Sequence, residues 1–268
     1  MKIGIIGLGL IGGSILKALY NKGFDIYAVT RNLKTIENAQ KYCNGISSDY
    51  AILKDCEIVF VCTPMSKVLE TLDKLDTILQ PSAIVSDVSS LKEFVMKKKY
   101  SYNFVGSHPM AGTENTGFEY SFAELFENAK WVLTPHEETS QDTVKKLENV
   151  ILKTGAKIIF ADAKEHDIAV AKISHMPMLI AQALYKSIEN DKLALTLASS
   201  GFRDMTRLAM SNVDMAEDMI ELNNKNITNA VEKLYKSVEN LQTDYKKQII
   251  KISKNRAKMY DKNGKNTF

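Results

Sequence analysis

The chain opens on Lys2-Ile3-Gly4-Ile5-Ile6-Gly7-Leu8-Gly9-Leu10-Ile11-Gly12-Gly13-Ser14, and no other segment constrains the fold as tightly. A short apolar run without helical spacing ends at Gly7. Glycines recur at Gly9 and Gly12, and a helical pattern follows through Ala18 and Leu19. Strand, glycine turn and helix in that order form the cradle a dinucleotide pyrophosphate requires. Gly7 permits the tight turn, Gly9 lets phosphate approach the backbone, and Gly12 lets the helix lie close to the strand. The unpaired N–H groups and positive dipole end of that helix then face the anion. The turn therefore predicts cofactor contacts from Gly7, Leu8, Gly9, Leu10, Ile11 and Gly12. The alternative is a glycine-rich turn that binds nothing.

The second strand, Phe24-Asp25-Ile26-Tyr27-Ala28-Val29, ends in Thr30-Arg31-Asn32. An NAD site places a carboxylate there to accept from the ribose hydroxyl, whereas an arginine suits a 2′-phosphate. Thr30 stands where the acid would be and Arg31 follows it. The expected cofactor is thus NADP, with NAD as the alternative, and Thr30 and Arg31 lie beside the adenine ribose. The plain alternative for Arg31 is a solvated charge.

Strand candidates at 2–7, 26–30, 58–62, 83–86, 104–107, 131–134 and 157–160 alternate with helical patterns at 11–22, 33–42, 66–79 and 141–154. Such alternation implies an α/β fold, a Rossmann-type doubly wound and mostly parallel sheet with helices on both faces. Near Asp162 the pattern changes. Apolar residues recur at helical spacing over 168–188 and again over 227–252, with no convincing strand. The expected division is a dinucleotide-binding domain over 1–162 and an all-α substrate and dimerisation domain over 163–268. A helical unit of about a hundred residues closes a core poorly alone, so a homodimer through these helices is expected.

Within 268 residues, a net charge of +3 gives no reason to expect nucleic acid, and the lysine runs lack interleaved aromatics. No membrane partner is expected, since no apolar run approaches the roughly 20 residues of a spanning helix. A strand at the first residues argues against a signal peptide. Cys43, Cys56 and Cys62 are odd in number and not spaced as metal ligands, so no metal is expected. These features place the protein in the cytoplasm with reduced thiols.

The chain holds four histidines. His108 stands at a strand end in Gly106-Ser107-His108-Pro109-Met110-Ala111-Gly112-Thr113-Glu114, where open α/β sheets line their ligand crevice. It is the candidate base. His136 lies in a loop before a helix and is expected to be inert. His166, beside Asp167, reads as a cap or a bridge between domains. His175 precedes Met176-Pro177 at a predicted helix bend, where it either touches ligand or packs.

Five segments then occur in order: the glycine turn, Asp87-Val88-Ser89-Ser90-Leu91-Lys92, the segment from Ser107 to Glu114, Ser174-His175-Met176-Pro177, and Gly201-Phe202-Arg203-Asp204-Met205-Thr206-Arg207. Together they resemble the prephenate/arogenate dehydrogenase family of tyrosine biosynthesis over nearly the whole chain. The resemblance implies oxidative decarboxylation of a cyclohexadienyl acid with hydride transfer to a nicotinamide. It implies His108 as base, Ser90 as partner of the substrate hydroxyl, and Arg207 as partner of the ring carboxylate. It puts Thr113 and Glu114 at the pocket mouth, His175 in the substrate site, and Cys62, Thr63 and Pro64 under the nicotinamide.

Two departures stand out. Prephenate-selective members often carry a second histidine just after the proline of the Ser174–Pro177 segment, where this chain has Met178. A pocket tryptophan found in some members within 212–218 is absent, because Trp131 is the only tryptophan. The Ser174-His175-Met176-Pro177-Met178 form and the Ala198-Ser199-Ser200-Gly201-Phe202-Arg203 form resemble arogenate-using, NADP-using members. Two other readings stay open. One is a β-hydroxyacid or imine reductase, for which Lys172 would be the helical-domain lysine. The other is a non-catalytic nucleotide sensor.

Overall fold

The computed structural model describes residues 1–113 and 115–260. Eight strands build one sheet: β1 (Lys2–Ile6), β2 (Asp25–Val29), β3 (Gly45–Ser47), β4 (Ile58–Val61), β5 (Ile84–Asp87), β6 (Asn103–Pro109), β7 (Lys130–Pro135) and β8 (Lys157–Phe160). Their spatial order is β3-β2-β1-β4-β5-β6-β7-β8. Every neighbouring pair is parallel except β6 with β7. Chain order reverses between β1 and β4, so the switch point at which doubly wound sheets bind ligand lies at the glycine turn.

Alternation along the strands divides the core in two. Ile3, Ile5, Ile58 and Phe60 join α1 (Leu10–Leu19), α4 (Gln141–Leu152) and the buried Trp131 and Phe126 on one face. Ile6, Val59, Val61 and Val85 pack on Val68, Leu72 and Leu75 of α3 (Met65–Leu75) on the other. Helix α2 (Leu33–Ala39) follows β2 and is capped by Asn32, whose side chain accepts from the Thr35 N–H at 3.1 Å. Strand β3, absent from the expected set, has only three residues and no apolar run; pairing with β2 defines it.

Beyond β8 the chain is helical: α5 (Ala163–Val170), a π-helical turn (Ala171–His175), α6 (Met176–Ile188), α7 (Lys192–Leu197), α8 (Ser200–Thr206), a 3-10 turn (Arg207–Met210), α9 (Val213–Thr243) and α10 (Tyr245–Met259). Pro177 has no N–H to offer the preceding turn, and the widened π turn just before it relieves that loss. The helical pattern over 227–252 predicts one helix. The chain instead breaks at Asp244 (φ −144°, ψ 54°), and α9 is kinked at Asn223.

Ala163–Ile188 forms one helical run of 26 residues, by length and composition apolar enough to cross a bilayer. Scattered charges hid this in the sequence. Its buried residues, among them Val170, Ala171, Met178 and Ala181, face other protein elements. A third apolar cluster, of Met65, Leu91, Val170, Met178, Ala216 and Met219, joins the helices to the sheet beside α3.

Candidate active site

The parallel strands β1, β4, β5 and β6 deliver their carboxyl ends to one side, and four loops meet there. The first is the glycine turn. Gly7 sits at φ +86°, and a Cβ on it would lie 2.6 Å from the Cys62 carbonyl oxygen. A Cβ on Gly12 would come within 2.0 Å of the Gly7 oxygen, so helix and turn touch backbone to backbone. A Cβ on Gly9 would meet nothing within 4 Å. That open space lies at the amino end of α1, which has no side-chain cap and no acid in its first turn. Unpaired N–H groups facing open space beside a bare glycine fit a pyrophosphate. Leu8 is buried in the core, so only its backbone is available there.

Thr30 follows β2 directly, donating its N–H to the Ser47 oxygen at 3.0 Å, and Arg31 after it is exposed. Across the switch point, Cys62 donates its N–H to Ile6 at 2.7 Å, and Pro64 caps α3. The Thr63 hydroxyl is buried with no partner among the described residues, a polar atom that a bound ligand would satisfy. Burial and then the Asp87 carboxylate push the Cys62 thiol up, so it stays protonated and is no nucleophile.

The loop after β5 carries Ser90, half-buried, between the buried Ser89 and Lys92. Lys92 has no exposed surface. Its ammonium donates to Asp87, to the Ser107 carbonyl at 2.6 Å and to the Ser89 hydroxyl at 3.3 Å. Burial pulls this lysine down and Asp87 opposes it. Asp87 also accepts from the Ser107 N–H at 3.2 Å and thereby ties β5 to β6. The Trp131 indole donates to the Ser107 hydroxyl at 3.0 Å, so this tryptophan supports the strand from within the core.

His108 ends β6 half-buried. Its Nδ1 lies 3.0 Å from His166 Nε2, and His166 Nδ1 lies 2.8 Å from Asp167 Oδ1. Asp167 also accepts from the backbone N–H groups of Lys92 at 2.8 Å and Glu93 at 2.9 Å. Desolvation first, then His166, Lys92 and His175, hold the His108 imidazole well below its ordinary 6.5. It is therefore neutral at pH 7, as a general base must be. His108 Nε2 has no protein partner among the described residues.

His175 is fully buried. Its Nδ1 meets Asn223 Nδ2 at 3.2 Å, Asn223 also donates to the Asp167 carbonyl at 3.0 Å, and His175 Nε2 has no partner among the described residues. His175 thus sits on the π turn against α9. Burial pushes it down to about 4. Arg207 is exposed on the 3-10 turn. The competing ion pair with Asp204 is taken by Arg203, at 3.0 Å. Thr113 is exposed, its hydroxyl accepting from Asn115 at 3.3 Å. Glu114 lies outside the described residues. Lys172 is exposed and forms no part of the His108 cluster.

Sequence reasoning missed the link from His108 to His166 and Asp167. The available signal was an Asp neighbour at the start of the first helix after the last strand, in a chain with only four histidines.

Comparison with known proteins agrees with this architecture. A family model described as "Prephenate dehydrogenase, nucleotide-binding domain" matches residues 15–160, and one described as "Prephenate dehydrogenase, dimerization domain" matches residues 162–252. A prephenate dehydrogenase of Lactococcus lactis is 31% identical over 94% of this chain and 72% of its own length. The crystal structure of Synechocystis arogenate dehydrogenase shares 35% identity and a TM-score of 0.81, covering 92% of this chain and 93% of that one. Prephenate dehydrogenase from A. aeolicus, solved in complex with hydroxyphenyl propionate and NAD+, gives 29% identity, a TM-score of 0.81 and coverage of 95% and 92%.

Proposed function

The chain belongs to the prephenate dehydrogenase family, and from that premise we propose that it oxidatively decarboxylates arogenate in tyrosine biosynthesis, with prephenate as the lesser substrate and NADP as the preferred coenzyme. When bound, the nicotinamide supplies the hydride acceptor. His108 Nε2 takes the proton of the ring hydroxyl as the hydride departs. Ser90, on the adjacent loop, hydrogen-bonds that hydroxyl and aligns it. Arg207 pairs with the ring carboxylate; a planar guanidinium suits a planar carboxylate. The carboxylate leaves as carbon dioxide, and the electron pair of the broken bond completes the aromatic ring.

The observation that carries this reading is the neutral His108 at a strand end, with Nδ1 engaged and Nε2 without a partner among the described residues, on the same side of the sheet as the glycine turn. Arogenate is favoured by the lack of a second histidine at position 178, where Met178 is buried in the cluster with Met65 and Leu91. NADP is favoured by the exposed Arg31 and by the absence of an acid at Thr30. A homodimer through the helical region is supported by the exposed Leu193, Leu197, Met210 and Val213. The exposed Lys172 speaks against a hydroxyacid-type mechanism.

Steady-state kinetics with both acids and both nicotinamides test the proposal. Arogenate with NADP is expected to give the highest kcat/KM. No turnover of either acid with either coenzyme would refute the activity.

A further inference from the structure

Behind the proposed base lies a buried chain of groups that the reaction as written does not use. Asp167 is 3% exposed and offers acceptor oxygens to three donors at once: the Lys92 N–H at 2.8 Å, the Glu93 N–H at 2.9 Å and His166 Nδ1 at 2.8 Å. A carboxylate only accepts, so the proton of that third bond belongs to His166 Nδ1. With that single proton on Nδ1, His166 presents a lone pair at Nε2, and the 3.0 Å contact then has His108 Nδ1 as donor. That leaves the lone pair of His108 on Nε2, the nitrogen without a partner among the described residues.

We propose that His166 and Asp167 are positioning residues: they fix the tautomer and ring orientation of His108, and Asp167 binds the Ser90 loop to the same frame. This rests on His108 being the base. The two backbone bonds to Asp167 fall within three residues of Ser90, so one carboxylate sets both groups that face the substrate hydroxyl. The pair also comes from α5, the first helical element after the sheet, and so joins the base to the helical region. The charged and titratable groups around His108 are His166 and Asp167 from α5, Lys92 and Asp87 from the β5 loop and strand, and His175 from the π turn. Of these, only His166 contacts the His108 ring through a hydrogen bond.

Two measurements test the proposal. The first needs no substrate. Nitrogen-15 NMR of histidine-labelled wild-type protein, with His108 assigned by its loss in His108→Asn, is expected to show a protonated Nδ1 and an unprotonated Nε2 at pH 7.5. The opposite tautomer would overturn the proposal even if the enzyme proves active on both acids. The second is kinetic. His166→Leu is expected to lower kcat by about 100-fold, a fraction of what a general base contributes, with both KM values within about threefold. His166→Gln keeps an acceptor toward His108 and a donor toward Asp167, so it is expected to recover at least about tenfold of that loss. Unchanged kcat in His166→Leu, or no recovery in His166→Gln, would overturn it. Should wild type turn over neither acid, the activity reading fails while the tautomer measurement still decides the positioning role.

Discussion

The sheet and the helical region bury their residues differently. Strands β4 and β5 are buried at every residue, and β1 at all but its first. Helices α7, α8 and α10 bury none. Leu193, Leu197, Met210 and Val213 are 69%, 71%, 76% and 76% exposed. A sheet covered on both faces completes its own core, whereas a thin helical layer leaves apolar surface for something else to cover. The titratable groups follow the same division. Those that are buried and paired, Asp87, Lys92, His166 and Asp167, gather where the two regions meet.

The comparison is broken most severely at Asp87. Asp87→Ala strands the Lys92 ammonium in a site with no exposed surface, and one-sided loss of a buried ion pair costs about 3–5 kcal/mol. Urea denaturation of the variant is expected to show that loss; a midpoint unchanged from wild type would mean the pair does not hold β5 to β6.

Acid probes the same seam from the helical side. His175 titrates near 6.5 when unfolded and about 4 when folded. Below pH 6.5 the unfolded chain takes up a proton that the folded chain refuses, so stability falls as pH drops from about 6.5 to about 4. The loss from this residue is on the order of 3 kcal/mol, and His108, lowered in the same direction, adds to it. Unfolding midpoints across that range are expected to decline in wild type and to decline less in His175→Gln. Parallel curves would remove His175 from the balance.

Leu197→Asp sharpens the comparison from the other side. On a free surface such a change stays within about 0.5 kcal/mol. In a dimer it places a charge against an apolar partner. Light scattering is expected to give the wild type twice the chain mass of 30.0 kDa and the variant the single mass. A wild type that scatters as one chain would contradict the dimer.

The smallest effect concerns the coenzyme. Arg31→Ala is expected to weaken NADP by about tenfold, about 1.4 kcal/mol, with NAD within twofold. Equal weakening of both would show that Arg31 does not read the 2′-phosphate.

Much of the fold was legible because local physics dictated it. The glycine turn, the strands at β1, β4 and β5 and the change to helical spacing after Asp162 are each written within a few neighbouring residues. β3 was not legible, since three residues with no apolar run are recruited to the sheet only by pairing with β2. The break at Asp244 was hidden because the helical spacing of apolar residues continues across it. In the site, His108 and Ser90 lay in recognisable segments, but the role of His166 depends on a contact 58 residues away in sequence. A histidine beside an aspartate on a helix reads equally as a cap, and only the fold shows what its second nitrogen meets.

The whole reading converges on one nitrogen. The direct measurement is the single-turnover rate of wild type and His108→Asn on saturating arogenate, followed by reduced nicotinamide absorbance, with coenzyme affinity measured in parallel by fluorescence. A rate lowered by at least about 100-fold at unchanged affinity is the expected result for removal of a general base. A variant that turns over as fast as wild type would contradict it.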